Sequence, residues 1–124
     1  MKMTKKILVV DDQVDVVIML QIALEHEGYE VQTALSGPAA LESVSGVPPD
    51  LIVLDGMMPI MDGFEVLERL KENPATASIP TIMLTAMDTQ SAMEEGWEKG
   101  VDLYLTKPFR PTELASLVKC ILHD

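Results

Sequence analysis

The sequence predicts an α/β domain, a doubly wound parallel sheet of five strands with five helices covering both faces. Three observations predict it. Apolar runs of strand length alternate with longer segments of helical periodicity from one end of the chain to the other. The central runs are almost continuously apolar, as strands buried on both faces must be. Finally, the chain has 124 residues of which 48% are hydrophobic, enough for one substantial core and too few residues for a second domain.

The elements follow in order. Ile7 to Val10 is the first strand. The helix after it runs from Gln13 to Glu27, places Val16, Met19, Leu20, Ala23 and Leu24 on its core face, and stops at Gly28. Val31 to Ala34 is the second strand, and Ser36, Gly37 and Pro38 open a short helix over Ala39 to Val44. The third strand, Leu51 to Leu54, leads through Asp62, a helix-capping residue type, into a helix over Phe64 to Glu72. Thr81 to Leu84 and Leu103 to Leu105 are the last two strands, with a helix over Asp88 to Lys99 between them. The final helix, Pro111 to Leu122, turns Leu114, Leu117, Val118, Ile121 and Leu122 toward the sheet.

Charge and cysteine content narrow the function. Twenty acidic residues against nine basic ones leave a net charge of −11, which repels a phosphate backbone and argues against direct nucleic-acid binding. The lone Cys120 can form neither an internal disulfide nor a multi-thiolate metal site, in keeping with a reducing compartment. No run approaches the ~20 apolar residues that span a bilayer, and no secretory signal precedes the first strand, so a cytoplasmic location without membrane contact is expected.

In open parallel sheets, ligands bind beyond the carboxyl ends of the strands. Asp11 and Asp12 follow the first strand, Asp55 the third, Thr85 the fourth, and Lys107 with Pro108 lie just past the fifth. Taken singly, each has an ordinary role as a cap, a turn residue or a solvated charge. Together on one edge, three carboxylates repel one another unless a cation sits among them. Oxygen donors without histidine or cysteine favour Mg²⁺, or Mn²⁺, over zinc. Asp55 ends the central strand and is placed to act as a nucleophile toward phosphorus, with Lys107 and Thr85 in reach of the incoming oxygens.

The segments ILVVDDQ at 7–13, DLIVLDGMMPIMDG at 50–63, IPTIMLTA at 79–86 and GVDLYLTKPF at 100–109 make the chain resemble the receiver domain of two-component response regulators, over the whole of residues 1–124. The resemblance implies the flavodoxin-like strand order 2-1-3-4-5. It implies that Asp55 is the phosphoacceptor, served by a sensor histidine kinase or a histidine phosphotransfer protein, and that Asp11, Asp12, Asp55 and the backbone carbonyl of Met57 hold Mg²⁺. It further implies that Thr85 and Lys107 sense the phosphoryl group, that Tyr104 is an aromatic switch, and that the Lys107–Pro108 bond is cis. Phosphorylation would then change the surface of the fourth helix, fifth strand and fifth helix, read by a downstream protein or by an output domain, separate or fused. Such a domain is a signalling module whose chemistry is limited to its own phosphorylation and dephosphorylation.

Some features are particular to this chain. Gly56 follows Asp55 where the family usually has a side chain, which predicts a looser local backbone. Met57 and Met87 are bulky and apolar at positions that the resemblance links to water access, predicting slow self-dephosphorylation. Val14, Ile18 and Ile22 form a second apolar stripe on the first helix, expected to dock the phosphodonor's helices. Trp97 is expected to pack near the switch surface, while His26 and His123, near helix ends, have no partners at catalytic spacing. Other readings are a metal-dependent phosphatase, a flavin or nucleotide binder and a phosphorylation-independent binding module. The first lacks a second acid/base after Asp55, the second a glycine-rich phosphate loop after the first strand, and the third leaves five site residues without use.

Overall fold

The computed structural model describes residues 4–86 and 90–122. Its elements are β1 (Lys6–Val10), α1 (Val14–His26), β2 (Glu30–Ala34), α2 (Gly37–Gly46), β3 (Leu51–Asp55), α3 (Gly63–Glu72), β4 (Thr81–Thr85), α4 (Gln90–Lys99), β5 (Leu103–Thr106) and α5 (Pro111–Leu122). The five strands form one sheet in the order β2-β1-β3-β4-β5, and every pairing is parallel. None of the described helices is long and apolar enough to cross a membrane.

Strand alternation divides the interior in two. Ile7, Val9, Leu51, Val53, Ile82 and Leu84 face a core completed by Leu20 and Leu24 of α1 and Leu114 and Val118 of α5. Leu8, Val10, Ile52, Leu54 and Met83 face the opposite core, filled by Ala40 and Val44 of α2 and by Val66, Leu67 and Leu70 of α3. Both faces of β1, β3 and β4 are therefore dry, which explains their unbroken apolar runs.

Local chemistry marks the helix ends. Gly28 takes φ +96° just beyond α1, a left-handed conformation that favours glycine. Ser36 Oγ accepts from the Ala39 N–H at 3.2 Å and caps α2, and Asp62 Oδ1 accepts from the Glu65 N–H at 2.9 Å and caps α3. At the start of α5 the Arg110 N–H donates to Glu113 Oε1 at 3.0 Å.

Two expectations need correction. The buried face of α1 is Val17, Leu20 and Leu24, while Met19 is 41% exposed. The stripe is rotated because residues 16 to 20 are all apolar, and only packing selects among them. The strands β3, β4 and β5 also each run one residue past their apolar segment, because the parallel ladder continues: Asp55 pairs with Leu84, and Thr85 with Thr106. Asp88, expected to begin the fourth helix, lies outside the described residues.

Candidate functional site

The carboxyl edge of the sheet gathers the residues that the strand ends predict. Asp11 and Asp55 are buried, at 0% and 3% exposure, and Thr85 is buried beside them, whereas Asp12 is exposed. One carboxylate oxygen from each of Asp11, Asp12 and Asp55 lies within 4.8 Å of the others. Lys107 reaches in from the end of β5, its Nζ 3.2 Å from Asp11 Oδ2 and 3.5 Å from Asp55 Oδ1. This pairing joins residues 96 positions apart in the chain.

Local turns aim the two buried carboxylates. Asp11 Oδ1 accepts from the Gln13 N–H at 2.9 Å, and Asp55 Oδ1 accepts from the Met57 N–H at 3.1 Å. Both are side-chain turns that fix an aspartate against the backbone two residues on. Asp55 Oδ1 thus takes both the Met57 and the Lys107 contacts, and Oδ2 takes neither. The Lys107–Pro108 peptide is cis, as expected.

Glycines let the backbone close around Asp55. A side chain at residue 63 would strike the Asp55 carbonyl oxygen and lie 2.9 Å from Gly56 Cα, so only glycine allows α3 to begin so near β3. Gly56 itself is held on both sides, its N–H donating to the Leu84 carbonyl at 2.7 Å and its carbonyl accepting from the Gly63 N–H at 3.1 Å. The expected looseness at this glycine is replaced by two backbone bonds.

Electrostatics follow from this crowding. Burial pushes the Asp55 carboxyl up to about 6, and the Asp11 carboxylate adds to the rise, against the opposing pull of the Met57 N–H and Lys107. Burial also works against the Lys107 ammonium, but the Asp55 and Asp11 carboxylates outweigh it and hold its pKa above the usual lysine value. The donors present are hard oxygens in an acidic cluster paired with Lys107, a set that fits Mg²⁺ or Mn²⁺ and no soft metal.

Val14, Ile18 and Ile22 are 54%, 50% and 64% exposed along α1, so the second stripe faces outward. A cleft of about 360 Å³ lies beside it, lined by Gln13, Val16, Met19, Lys107, Pro108 and Phe109. The Met57 side chain is exposed at the rim, while Met87 and His123 lie outside the described residues. Tyr104 is half-buried, its hydroxyl donating to the Met93 carbonyl at 3.1 Å, and Trp97 meets its ring edge-on with centroids 5.0 Å apart. His26 and the Cys120 thiol are exposed. Sequence reasoning missed Gly96, against which the Tyr104 ring rests; its signal is a glycine in a helix interior, where no turn requires one.

Comparison with known proteins agrees with this geometry. The family model "Response regulator receiver domain" matches residues 7–119. The alkaline phosphatase synthesis transcriptional regulatory protein PhoP of Bacillus subtilis is 48% identical over 121 residues, covering 98% of this chain and 50% of that protein. The response regulator PleD of Caulobacter vibrioides is 43% identical over 119 residues, covering 96% of this chain and 26% of that protein. The chain thus spans half or less of the length of these curated relatives. Among solved structures, the chemotaxis protein CheY4 of Vibrio cholerae superposes with a TM-score of 0.92 at 32% identity, over 97% of this chain and 100% of that one. With its strand order, its acidic edge and these matches, the chain belongs to the receiver domain family of two-component response regulators.

Proposed function

We propose that Asp55 accepts a phosphoryl group from a phosphohistidine on a sensor histidine kinase or a histidine phosphotransfer protein, and that the chain acts as a signalling switch. The observation that carries this reading is the meeting of Asp11, Asp12, Asp55, Thr85 and Lys107 at one sheet edge. Asp55 Oδ2, the oxygen spared by Met57 and Lys107, attacks phosphorus; an O–P bond forms as the N–P bond of the donor breaks. The electron pair leaves with the imidazole, which departs neutral because its other ring nitrogen carries a proton. With a pKa of about 6, Asp55 is ionised and nucleophilic at neutral pH.

Asp11, Asp12, Asp55 and the Met57 carbonyl would hold Mg²⁺, or Mn²⁺, which when bound supplies charge neutralisation between the carboxylates and the phosphoryl oxygens. Lys107 and the Thr85 hydroxyl each donate to a phosphoryl oxygen, and catalysis is positioning and charge compensation. The new charge favours whichever placement of these two donors suits it, shifting the population of the α4-β5-α5 surface, with Tyr104 as the moving aromatic. The chain turns over only its own acyl phosphate.

The α1 ridge and the cleft by Lys107 form the docking face for the donor's helices, since apolar surface stands within reach of Asp12. Downstream, the switch surface is read by a protein target or by an output domain, separate or fused. This domain itself makes no direct nucleic-acid contact, given its net charge of −11. Intact mass after incubation with acetyl phosphate and Mg²⁺ tests the reading. A gain of about 80 Da in the wild type, absent from Asp55→Asn and lost under chelation, supports it. No gain under conditions that label a control receiver overturns it in favour of a phosphorylation-independent binding module.

A further inference from the structure

We propose that Gly96 is the seat of the Tyr104 side chain, and that residue 96 decides whether this aromatic rests on α4 or swings clear of it. The inference builds on the phosphorylation switch proposed above. Glycine is the poorest helix former after proline, yet Gly96 lies inside α4, and it is not among the glycines with positive φ. Its backbone conformation therefore gives no reason for it. Its surroundings do: a Cβ built on Gly96 would coincide with the Tyr104 hydroxyl and would stand 2.7 Å from Tyr104 Cζ and 2.9 Å from Phe64 Cε1. The phenol occupies the space that any other residue would fill.

Contacts with α4 hold the ring there. Its hydroxyl donates to the Met93 carbonyl at 3.1 Å, one turn before Gly96. Trp97, the next residue, meets the ring at 88° with centroids 5.0 Å apart, a favourable edge-on geometry. Phe64 of α3 also borders the seat, its Cε1 2.9 Å from where a Cβ at residue 96 would stand. Tyr104 thereby ties β5 to α4, and along β5 it lies two residues from Thr106, the ladder partner of Thr85. Any movement at the Thr85 end that draws Tyr104 away releases α4 from β5, and the missing side chain at residue 96 makes docking and release possible without repacking the helix.

The test uses the full chain as wild type, Gly96→Ala, Tyr104→Ala and the double variant. Trp97 is the only tryptophan, so intrinsic emission reports the neighbourhood of the seat. Without any phosphodonor, Gly96→Ala should lower the thermal midpoint and shift Trp97 emission toward that of Tyr104→Ala. In the Tyr104→Ala background the same substitution should raise the midpoint, because alanine is the better helix former and nothing remains for it to strike. This reversal of sign is a readout that a general helix effect cannot produce. An equal rise in both backgrounds, with wild-type emission, overturns the proposal.

Acetyl phosphate and Mg²⁺ are then added. Emission of the wild type should move as the adduct forms, while Gly96→Ala, already released, should take up the adduct with little further change. Equal movement in both proteins overturns the link between the seat and the switch. If no adduct forms on the wild type, the Asp55 reading fails and that link fails with it, while the reversal of sign still decides the seat.

Discussion

Replacing Asp55 with asparagine should stabilise the fold at neutral pH, and the size of the effect follows from the site. The side chain is 4% exposed, and its pKa rises from the ordinary 3.8 to about 6 in the folded chain. A folded carboxyl with a raised pKa binds its proton more tightly than the unfolded one. Its favourable contribution is therefore fully present below about pH 3.8 and is lost as pH rises through about 6. Each tenfold difference in proton affinity corresponds to about 1.4 kcal/mol, so the ionised Asp55 opposes folding by about 3 kcal/mol above pH 7. An asparagine in its place would keep the shape and the acceptor for the Met57 N–H but carries no charge. In chelating buffer, the stability gap between Asp55→Asn and wild type should be near zero at about pH 4 and approach ~3 kcal/mol at about pH 7.5, roughly 10 °C in midpoint. Urea unfolding across this range, with m-values compared, measures it. A gap that does not change with pH, or an asparagine variant less stable at neutral pH, would refute the reasoning.

Further outcomes can be checked one substitution at a time. Lys107→Met removes the ammonium that pairs with Asp11 and Asp55, so labelling by acetyl phosphate should slow by roughly tenfold or more, and the pH at which labelling is half-maximal should rise; intact-mass time courses read both. Met57→Asn places a polar group at the exposed rim of the site and should shorten the acyl-phosphate lifetime, with an unchanged decay rate counting against control of water access by this residue. Ile18→Lys should slow transfer from the cognate phosphodonor while labelling by acetyl phosphate stays as in the wild type, and equal rates from the donor would remove α1 from the docking face. Ile60 is 98% exposed and takes φ 72°, so Ile60→Asn should gain about 1 kcal/mol in a thermal melt, since asparagine tolerates the left-handed region and no packing is lost.

How much of this was legible beforehand depends on whether local pattern or packing decides. The strands of the central sheet were legible because burial on both faces leaves no choice but apolar residues, and the helix entrances because Ser36 and Asp62 carry their capping oxygens at the junction. The α1 core face was not, because residues 16 to 20 are all apolar and periodicity cannot choose among them; only the sheet selects Val17 and Leu20. Ile60 has none of the glycine, asparagine or aspartate signals that accompany positive φ. Gly96 is explained only by a ring delivered from β5, eight positions further along the chain. The acidic edge was foreseeable for a topological reason: parallel strands send all their carboxyl ends the same way, so residues remote in sequence meet without any local motif.

On the proposed function, Lys107 and Thr85 are the groups that respond. Asp11, Asp12 and Asp55 against Lys107 leave the cluster two negative charges in excess, with Asp11 and Asp55 buried. A divalent cation would cancel that excess. Phosphorylation would then replace the single charge of Asp55 with a group carrying about −1.5 to −2, restoring a deficit of positive charge at a point beyond the original carboxylate. The aspartates cannot follow it: Asp11 and Asp55 are pinned by the Gln13 and Met57 N–H groups. Lys107 has a long, partly exposed side chain whose present partners are those carboxylates, and Thr85 has a hydroxyl at the end of β4. On that reading the new charge would meet a fixed set of acceptors and two donors, and conformational change would begin at β4 and β5, the strands that lead toward α4 and α5.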